Sequence, residues 1–204
     1  ANWGWLIAIL GTVTLFTGTM QALKQEQSKR LLAFHSIGQV GYILLGTGAC
    51  MSLLPALGPN AAALAAIGFF GALLHVLNHG LFKALLFLNA GSMLHATGTQ
   101  DLNKMGGLMK FMPLTAITAI VASFSISGVP LFNGFVSKWT IYVAAVQGSG
   151  SAKYLAVFAV IAILTSALTL ASFVKFFGVS FLSRPSALVT TQAARRGRLE
   201  VGWT

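Results

Sequence analysis

Three side chains that can carry a proton lie in the middle of a long apolar run of the sequence. His75, His79 and Lys83 follow one another at intervals of four within residues 61–94, which otherwise consist mainly of Ala, Leu, Ile, Phe and Gly. In a helix this spacing places the three along one slowly drifting stripe, about 12 Å from end to end at ~1.5 Å per residue. An imidazole can take a proton on one nitrogen and release it from the other, and a buried amine can lose its charge. The stripe therefore indicates part of a proton path.

A second buried amine is expected at Lys138, which lies inside a later apolar run. A charged side chain at the centre of a membrane helix costs at least about 2.5 kcal/mol, so an ionisable residue there is a functional hypothesis by default. Neither Lys83 nor Lys138 is close enough to the end of its run to reach water easily. The predicted relay consists of Lys83, His79, His75 and Lys138.

Several uncharged polar residues have two interpretations. Gln39, Asn78 and Asn133 either hydrate the path or only join helices by hydrogen bonds. His35 and His95 are as consistent with an ordinary hydrogen bond to a neighbouring group as with a role in the path.

The composition identifies the setting of these residues. Of 204 residues, 56% are hydrophobic and only 8% are charged, whereas soluble domains carry about 25% charged residues. The chain is therefore predicted to be an integral membrane protein, with the lipid bilayer as its surroundings. The net charge of +10 does not indicate a nucleic-acid partner, because the basic residues flank apolar runs and form no basic stripe with interleaved aromatics.

Five apolar runs predict an all-α, polytopic transmembrane helical bundle. The fourth run has 34 residues, about 50 Å as one helix, which exceeds the bilayer unless the helix is tilted or broken. Gly128, Pro130 and Gly134 lie within it and predict a discontinuous helix, broken near residues 127–134. Irregular backbone at membrane depth persists only where it is buried in protein or lines a wet cavity. The predicted spans are 3–23, 31–54, 61–94, 113–146 and 154–182, followed by a basic, cytoplasmic or interfacial tail over 184–204.

The distribution of Lys and Arg predicts the orientation. With five alternating spans, ten of the thirteen basic residues collect on one side and only Lys153 lies on the other. Loops 24–30 and 95–112 and the tail are therefore expected on the cytoplasmic side. That orientation orders the sites from the cytoplasm outward as Lys83, His79, His75 and Lys138, with gaps that need water. The ten residues are Lys24, Lys29, Arg30, Lys104, Lys110, Lys175, Arg184, Arg195, Arg196 and Arg198.

The sequence predicts no cofactor and no metal. Cys50 is the single cysteine, and no clustered Cys/His spacing of a zinc, iron–sulfur or haem site occurs. Phosphate-binding glycine motifs are also missing. Catalytic redox residues are not expected in this chain, so any electron transfer would belong to other polypeptides.

Four ordered motifs together resemble one family. They are Lys29-Arg-Leu-Leu-Ala-Phe-His-Ser-Ile-Gly-Gln-Val-Gly-Tyr42, His75-x3-His79-x3-Lys83-Ala-Leu-Leu-Phe, Asp101-Leu-Asn-Lys-Met-Gly-Gly107 and Gly128-Val-Pro-Leu-Phe-Asn-Gly-Phe-Val-Ser-Lys138. The set resembles the antiporter-like membrane subunits of complex I, a family that includes Mrp cation/proton antiporters and the membrane arm of group 4 hydrogenases. The residues of these motifs are most similar to those of the large membrane subunit of formate hydrogenlyase-type hydrogenases.

The resemblance implies the C-terminal part of an antiporter-like fold of about fourteen helices, in which discontinuous helices lie on the ion path. Lys138 then occupies the place of the Lys or Glu on a broken helix that passes protons to the outer half-channel. Gln39 stands where some relatives carry a relay histidine. The family's ion-pair glutamate and central lysine belong to earlier helices, so the chain is expected to be a fragment or to receive that half from another polypeptide.

The function expected from these observations is a proton-translocating membrane subunit of a multi-subunit, redox-driven complex in a prokaryotic cytoplasmic membrane. Its partners would be other membrane subunits, including homologous antiporter-like ones, and peripheral redox subunits at a distance. Two alternatives remain, an Mrp-type monovalent cation/proton antiporter subunit and a structural scaffold with an inactive path. A sodium site should contain clustered oxygen ligands, and no carboxylate lies within the predicted spans.

Overall fold

A computed structural model describes residues 3–56, 59–196 and 199. Within these ranges the chain is helical and contains no β-strand, only an isolated antiparallel bridge between Gln27 and Asp101. Part of the predicted basic tail, including Arg198, lies outside the described residues. The all-α fold class is confirmed.

Seven α-helices are present in the described ranges. They are α1 (Trp3–Leu23), α2 (Ser28–Leu53), α3 (Pro59–Thr97), α4 (Pro113–Ser127), α5 (Asn133–Gln147), α6 (Tyr154–Phe177) and α7 (Ala187–Arg196). One turn of π-helix, Gly178–Leu182, extends α6, and three short 3₁₀ turns occupy Leu102–Lys104, Leu108–Lys110 and Gly148–Gly150.

Five crossings of the bilayer follow from the lengths of these helices. Among the described residues, four helical stretches are long and apolar enough to cross alone: α1, α2, α3 and Tyr154–Leu182. The 15 residues of α4 and the 15 of α5 reach only about 22 Å each, less than the ~30 Å hydrocarbon core. The two helices together therefore form one discontinuous span, as predicted.

The break in this span begins earlier than Pro130. Helix α4 ends at Ser127 because Gly128 adopts a left-handed conformation with φ 75°, a common helix terminator. Pro130 follows the end and prevents its continuation. Leu131 is also left-handed, with φ 78°, and is fully exposed. The sequence located the break correctly, but glycine rather than proline ends the first half-helix.

The two halves of the broken span pass very close to each other. A Cβ atom added to Gly134, near the start of α5, would lie 1.8 Å from the backbone carbonyl oxygen of Ser125. Only glycine fits this crossing, which places the start of α5 against the last turn of α4. The side chain of Lys138, one turn after Gly134, is thereby directed toward the end of α4.

Helices α1 and α2 also pack through glycine. A Cβ on Gly41 would meet the Leu15 nitrogen at 2.3 Å, and one on Gly11 would meet the Leu45 nitrogen at 2.6 Å. Small residues at a crossing let two membrane helices approach closely, which gains van der Waals contact. This packing leaves the opposite face of α2 for α3, α5 and α6.

Two helices extend two or more residues beyond their predicted spans. The second helix begins at Ser28 rather than residue 31, and the third covers Pro59–Thr97 rather than 61–94. Within the predicted tail, α7 packs back on the bundle, since Val189 is fully buried in the same apolar cluster as Leu108 and Phe181. Helix α7 has one apolar face but is polar on average, which is why the sequence alone suggests only an interfacial tail.

Candidate functional site

One face of α2 contacts the groups expected to carry chemistry. Leu32, His35, Gln39 and Tyr42 follow at spacings of three, four and three, so they lie on the same side of the helix. All four are fully buried. From Leu32 to Tyr42 the face covers about 15 Å along the helix axis at ~1.5 Å per residue. The position at which each of the other polar groups contacts this α2 face therefore gives their order across the bundle.

Lys83 meets the α2 face at its N-terminal end. Its Nζ donates a hydrogen bond to the backbone carbonyl of Leu32 at 2.6 Å and lies 5.8 Å from the centre of the Phe87 ring. The side chain is 7% exposed. Lys83 therefore does not continue the stripe of His75 and His79 along α3. Its side chain reaches across to the N-terminal end of α2.

His75 is the centre of a buried polar network. Its Nε2 lies 3.1 Å from Gln39 Oε1 on α2, and its Nδ1 lies 2.8 Å from Ser137 Oγ on α5. Asn78 Nδ2 donates to Ser137 Oγ at 3.2 Å and to the backbone carbonyl of Asn133 at 2.8 Å. Asn133 Nδ2 returns a bond to Asn78 Oδ1 at 3.2 Å. The structure thus joins four of the residues singled out in the sequence through Ser137.

The bonds around His75 can be satisfied with the ring proton on either nitrogen. With Gln39 Oε1 as acceptor, Nε2–H donates and Nδ1 accepts from the Ser137 hydroxyl. If the Gln39 amide turns, its NH₂ group donates to Nε2, and Nδ1–H donates to Ser137, whose hydroxyl then donates to Gly134 O at 3.2 Å. Gln39 Nε2 has no other partner among the described residues. A group that passes a proton between its two nitrogens needs both arrangements.

Lys138 occupies the break in the fourth span. Its Nζ donates to the backbone carbonyl of Ile126 at 2.8 Å and to Ser166 Oγ on α6 at 3.1 Å. The side chain is 1% exposed. Ser166 in turn donates to the Ser127 carbonyl at 2.8 Å. Because α4 ends at Ser127, its last carbonyl groups are free of intrahelical partners and can bind the amine.

Tyr42 connects Lys138 with His75, a role that the sequence does not indicate. Lys138 Nζ lies 4.5 Å from the centre of the Tyr42 ring, and the ring lies 5.7 Å from that of His75. The Tyr42 hydroxyl donates to the Ala162 carbonyl at 2.8 Å, which fixes the ring. An aromatic face attracts a cation, most strongly where both are shielded from water. Ser137 and Ser166 were also missed, because serine in a membrane helix most often bonds its own backbone.

His79 lies beside the network rather than in it. Its ring is parallel to that of His75, with centroids 6.5 Å apart, and packs on Phe82 at 5.7 Å. The residue is half-buried, and its Nε2 is buried with no hydrogen-bond partner in the described part of the chain. His95, for which the sequence allowed two interpretations, is exposed at the end of α3.

Neither buried lysine has a carboxylate partner in the described ranges. The ion pair found there joins exposed Lys104 to Asp101 at 3.8 Å. Over the same residues, no three His, Cys, Asp or Glu side chains come together as metal ligands. The chemistry that these groups can perform is proton exchange between amines, imidazoles and hydroxyls.

Comparison with known proteins gives a consistent assignment. Residues 1–169 match the family described as NADH:quinone oxidoreductase/Mrp antiporter, TM. The chain is similar to formate hydrogenlyase subunit 3 of Escherichia coli, with 39% identity over 90% of this chain and 30% of that protein. Hydrogenase-4 component B of the same organism is 37% identical over 94% of this chain and 29% of its own length.

A solved structure shows the same arrangement of helices. The chain superposes on part of the Mrp complex from a Dietzia species with a TM-score of 0.77 and 30% identity, covering 90% of this chain and 31% of that one. The chain therefore spans about 30% of the length of these two hydrogenase subunits.

Proposed function

Since the chain belongs to the NADH:quinone oxidoreductase/Mrp antiporter transmembrane family, we propose that it forms part of a proton-translocating membrane subunit of a multi-subunit, redox-driven complex. The observation that carries the proposal is the α2 face, which brings both buried lysines and the His75 network into one line. Leu32, Gln39 and Tyr42 contact Lys83, His75 and Lys138 in that order.

The proposed path has Lys83 near the cytoplasmic end and Lys138 toward the outer half. His75 lies between them and passes a proton from Nε2 to Nδ1, with Gln39 and Ser137 serving either tautomer. His79 exchanges protons with His75 from its parallel ring. Gaps between these groups exceed hydrogen-bond length, and water fills them, with Asn78 and Asn133 as polar lining. Lys138 holds the proton at the break until it is released outward.

Partners and location follow from the same proposal. The complex contains other membrane subunits, homologous antiporter-like ones among them, and peripheral redox subunits that drive the transport from a distance. The membrane is the prokaryotic cytoplasmic membrane. Loops 24–30 and 95–112 and the tail face the cytoplasm, because the basic residues collect at that end.

A labelling experiment tests this orientation. In a Cys50→Ser background, Lys104→Cys and Lys153→Cys place single thiols in exposed positions at opposite ends of the bundle. A membrane-impermeant maleimide added to intact cells should label position 153 and leave position 104 unlabelled. Labelling at position 104 alone would reverse the proposed orientation.

Transport is tested with Lys138→Ala in the intact complex. Proton movement into inverted membrane vesicles is followed with a pH-sensitive dye, while partner redox activity is measured separately with an artificial electron acceptor. Loss of a positioned proton carrier should slow transport on the order of 100-fold. Lys153→Ala, at an exposed position, is the matched control and should transport normally. Normal coupled transport in Lys138→Ala would refute the relay and favour a structural scaffold.

The second candidate is an Mrp-type monovalent cation/proton antiporter subunit, favoured by the similarity to the Mrp complex. The two functions differ in what sodium does. In vesicles with an imposed proton gradient, added sodium should dissipate the gradient only if the complex is an antiporter. The lack of a buried carboxylate in the described spans favours protons without sodium.

A further inference from the structure

A histidine outside the predicted relay occupies the middle of the α2 face. His35 is fully buried, its Nε2 lies 2.8 Å from Ser172 Oγ on α6, and its ring packs at 4.8 Å on Phe173. Its Nδ1 is buried and has no hydrogen-bond partner among the described residues. A buried polar atom without a partner is costly, so this nitrogen calls for a further ligand such as water or a proton donor.

His35 lies within the longest interval between relay contacts along the α2 face. Lys83 binds α2 at Leu32, and His75 binds it at Gln39, seven residues or about 10 Å further along the axis. His35 lies between these two levels on the same face. Helix carbonyls point toward the C-terminus, so the Leu32 carbonyl that holds Lys83 points toward the turn that contains His35.

A row of hydroxyl groups continues from His35 toward Lys138. Ser172, Thr169 and Ser166 follow at intervals of three on α6, and Ser166 bonds Lys138 Nζ at 3.1 Å. Ser172 and Thr169 are fully buried. Consecutive members are about 4.5 Å apart along the axis, so water must join them. The row gives His35 a polar connection to Lys138 that does not pass through the α3 histidines.

We infer that His35 is a proton-carrying site between Lys83 and Lys138, forming a branch of the path along α2 and α6. This inference rests on the proposed function. The Lys83 ammonium loses one N–H proton, which water carries to Nδ1, and the ring becomes an imidazolium. The imidazolium then loses its Nε2 proton to the Ser172 hydroxyl and water, which pass a proton on to the neutral amine of Lys138. The transfer leaves Lys83 neutral, Lys138 protonated and His35 neutral with its proton on Nδ1, and the ring returns to its first tautomer before it takes the next proton. His79 then serves a parallel branch along α3.

The inference is tested by His35→Gln in the intact complex, with proton movement into inverted vesicles as the readout. Glutamine can keep a hydrogen bond to Ser172 but cannot carry a proton. Transport should fall by about half while the assembled complex is recovered in normal amount, because the branch through His79 and His75 remains. His79→Gln, at the half-buried neighbour of the other branch, is the matched comparison and should lose less.

Chemical rescue separates proton transfer from a structural role. In His35→Ala, added imidazole should restore part of the lost transport, because it can enter the vacated space and exchange protons. If His35→Gln assembles poorly, this rescue still decides when it is compared with pyrazole, which fills the same space but is far less basic, because only imidazole should restore transport. Lack of rescue together with a loss of assembly would show that His35 only packs the helices.

Failure of this inference is distinct from failure of the proposed function. Normal transport in His35→Gln, together with loss in Lys138→Ala, would remove the α2–α6 branch and leave the relay. Normal transport in both variants would overturn the proposed function as well.

Discussion

Lys138 Nζ lies 4.5 Å from the centre of the Tyr42 ring, which places the amine of the broken span over an aromatic face of α2. In the described residues the amine has no carboxylate partner, so the ring and the carbonyl of Ile126 take the place of a counter-ion. Both are uncharged. They can hold the protonated amine without trapping it, which suits the proton release that we propose for Lys138.

Two replacements of Tyr42 should distinguish the contribution of its ring to proton transport from that of its hydroxyl. Tyr42→Leu removes the ring beside Lys138 and should slow proton transport about 30-fold, because a shielded cation–π contact is worth about 2 kcal/mol. Tyr42→Phe keeps the ring and loses only the bond to the Ala162 carbonyl, so its transport should stay near that of the parent. Equal transport rates for the two variants in the vesicle assay would show that the ring has no role.

Replacement of Lys83 should abolish proton transport without lowering the stability of the protein. Lys83→Met keeps an unbranched chain of similar length but cannot bind a proton, so transport should be lost. Stability should not fall, because a desolvated amine is exchanged for an apolar group. Thermal unfolding in detergent and vesicle transport measure the two effects, with Lys110→Met, at an exposed position, as control. His79→Ala should slow transport less than Lys83→Met, and the reverse order would contradict the proposed path.

Gln39→Leu should impair transport without removing a titratable group. It eliminates the amide oxygen 3.1 Å from His75 Nε2 and leaves that nitrogen without a partner, at a cost of about 1–3 kcal/mol. We expect a fall in transport of about twofold, since one tautomer of His75 loses its support while the α2–α6 branch remains. Gln147→Leu, at an exposed position in α5, controls for the change in polarity. An unchanged transport rate in Gln39→Leu would argue that His75 does not alternate between tautomers.

Gly134→Ala should disrupt the broken span. The added methyl group would lie 1.8 Å from the Ser125 carbonyl oxygen, so α5 must shift away from α4 and carry Lys138 with it. We expect a loss of about 1–3 kcal/mol in the free energy of unfolding and reduced transport. At Gly80 a Cβ would meet nothing within 4 Å, so Gly80→Ala should be neutral or stabilising. Equal melting temperatures for the two variants would contradict the close crossing.

The crossing of α1 and α2 can be tested in the same way. Gly41→Ala would bring a methyl group within 2.3 Å of the Leu15 nitrogen, an atom of the helix backbone that cannot move aside. The separation of the two helices must increase, at a cost of about 1–3 kcal/mol. Its melting temperature in detergent should fall below that of Gly80→Ala. If it does not, the two helices are less tightly packed than the structure indicates.

Much of the fold could be predicted because membrane spans leave a strong signal. Apolar runs of sufficient length showed five crossings, and Gly128, Pro130 and Gly134 showed which one is broken. The partners of buried residues could not be predicted in the same way. The i, i+4 spacing suggested that Lys83 extends the histidine stripe, yet its long chain reaches α2 because the Leu32 carbonyl offers an acceptor there.

The amino-acid sequence by itself determined the class of protein, the number of crossings and the candidate proton carriers. Each of these depends on residue types and local spacing. The signal is strong because a bilayer requires long apolar runs and makes a charged side chain within them costly. Only the tertiary structure decided that α2 lines up Lys83, His35, His75 and Lys138, and that Tyr42, Ser137 and Ser166 join them. Those contacts depend on how closely the helices approach and how they are rotated, and glycine crossings set both.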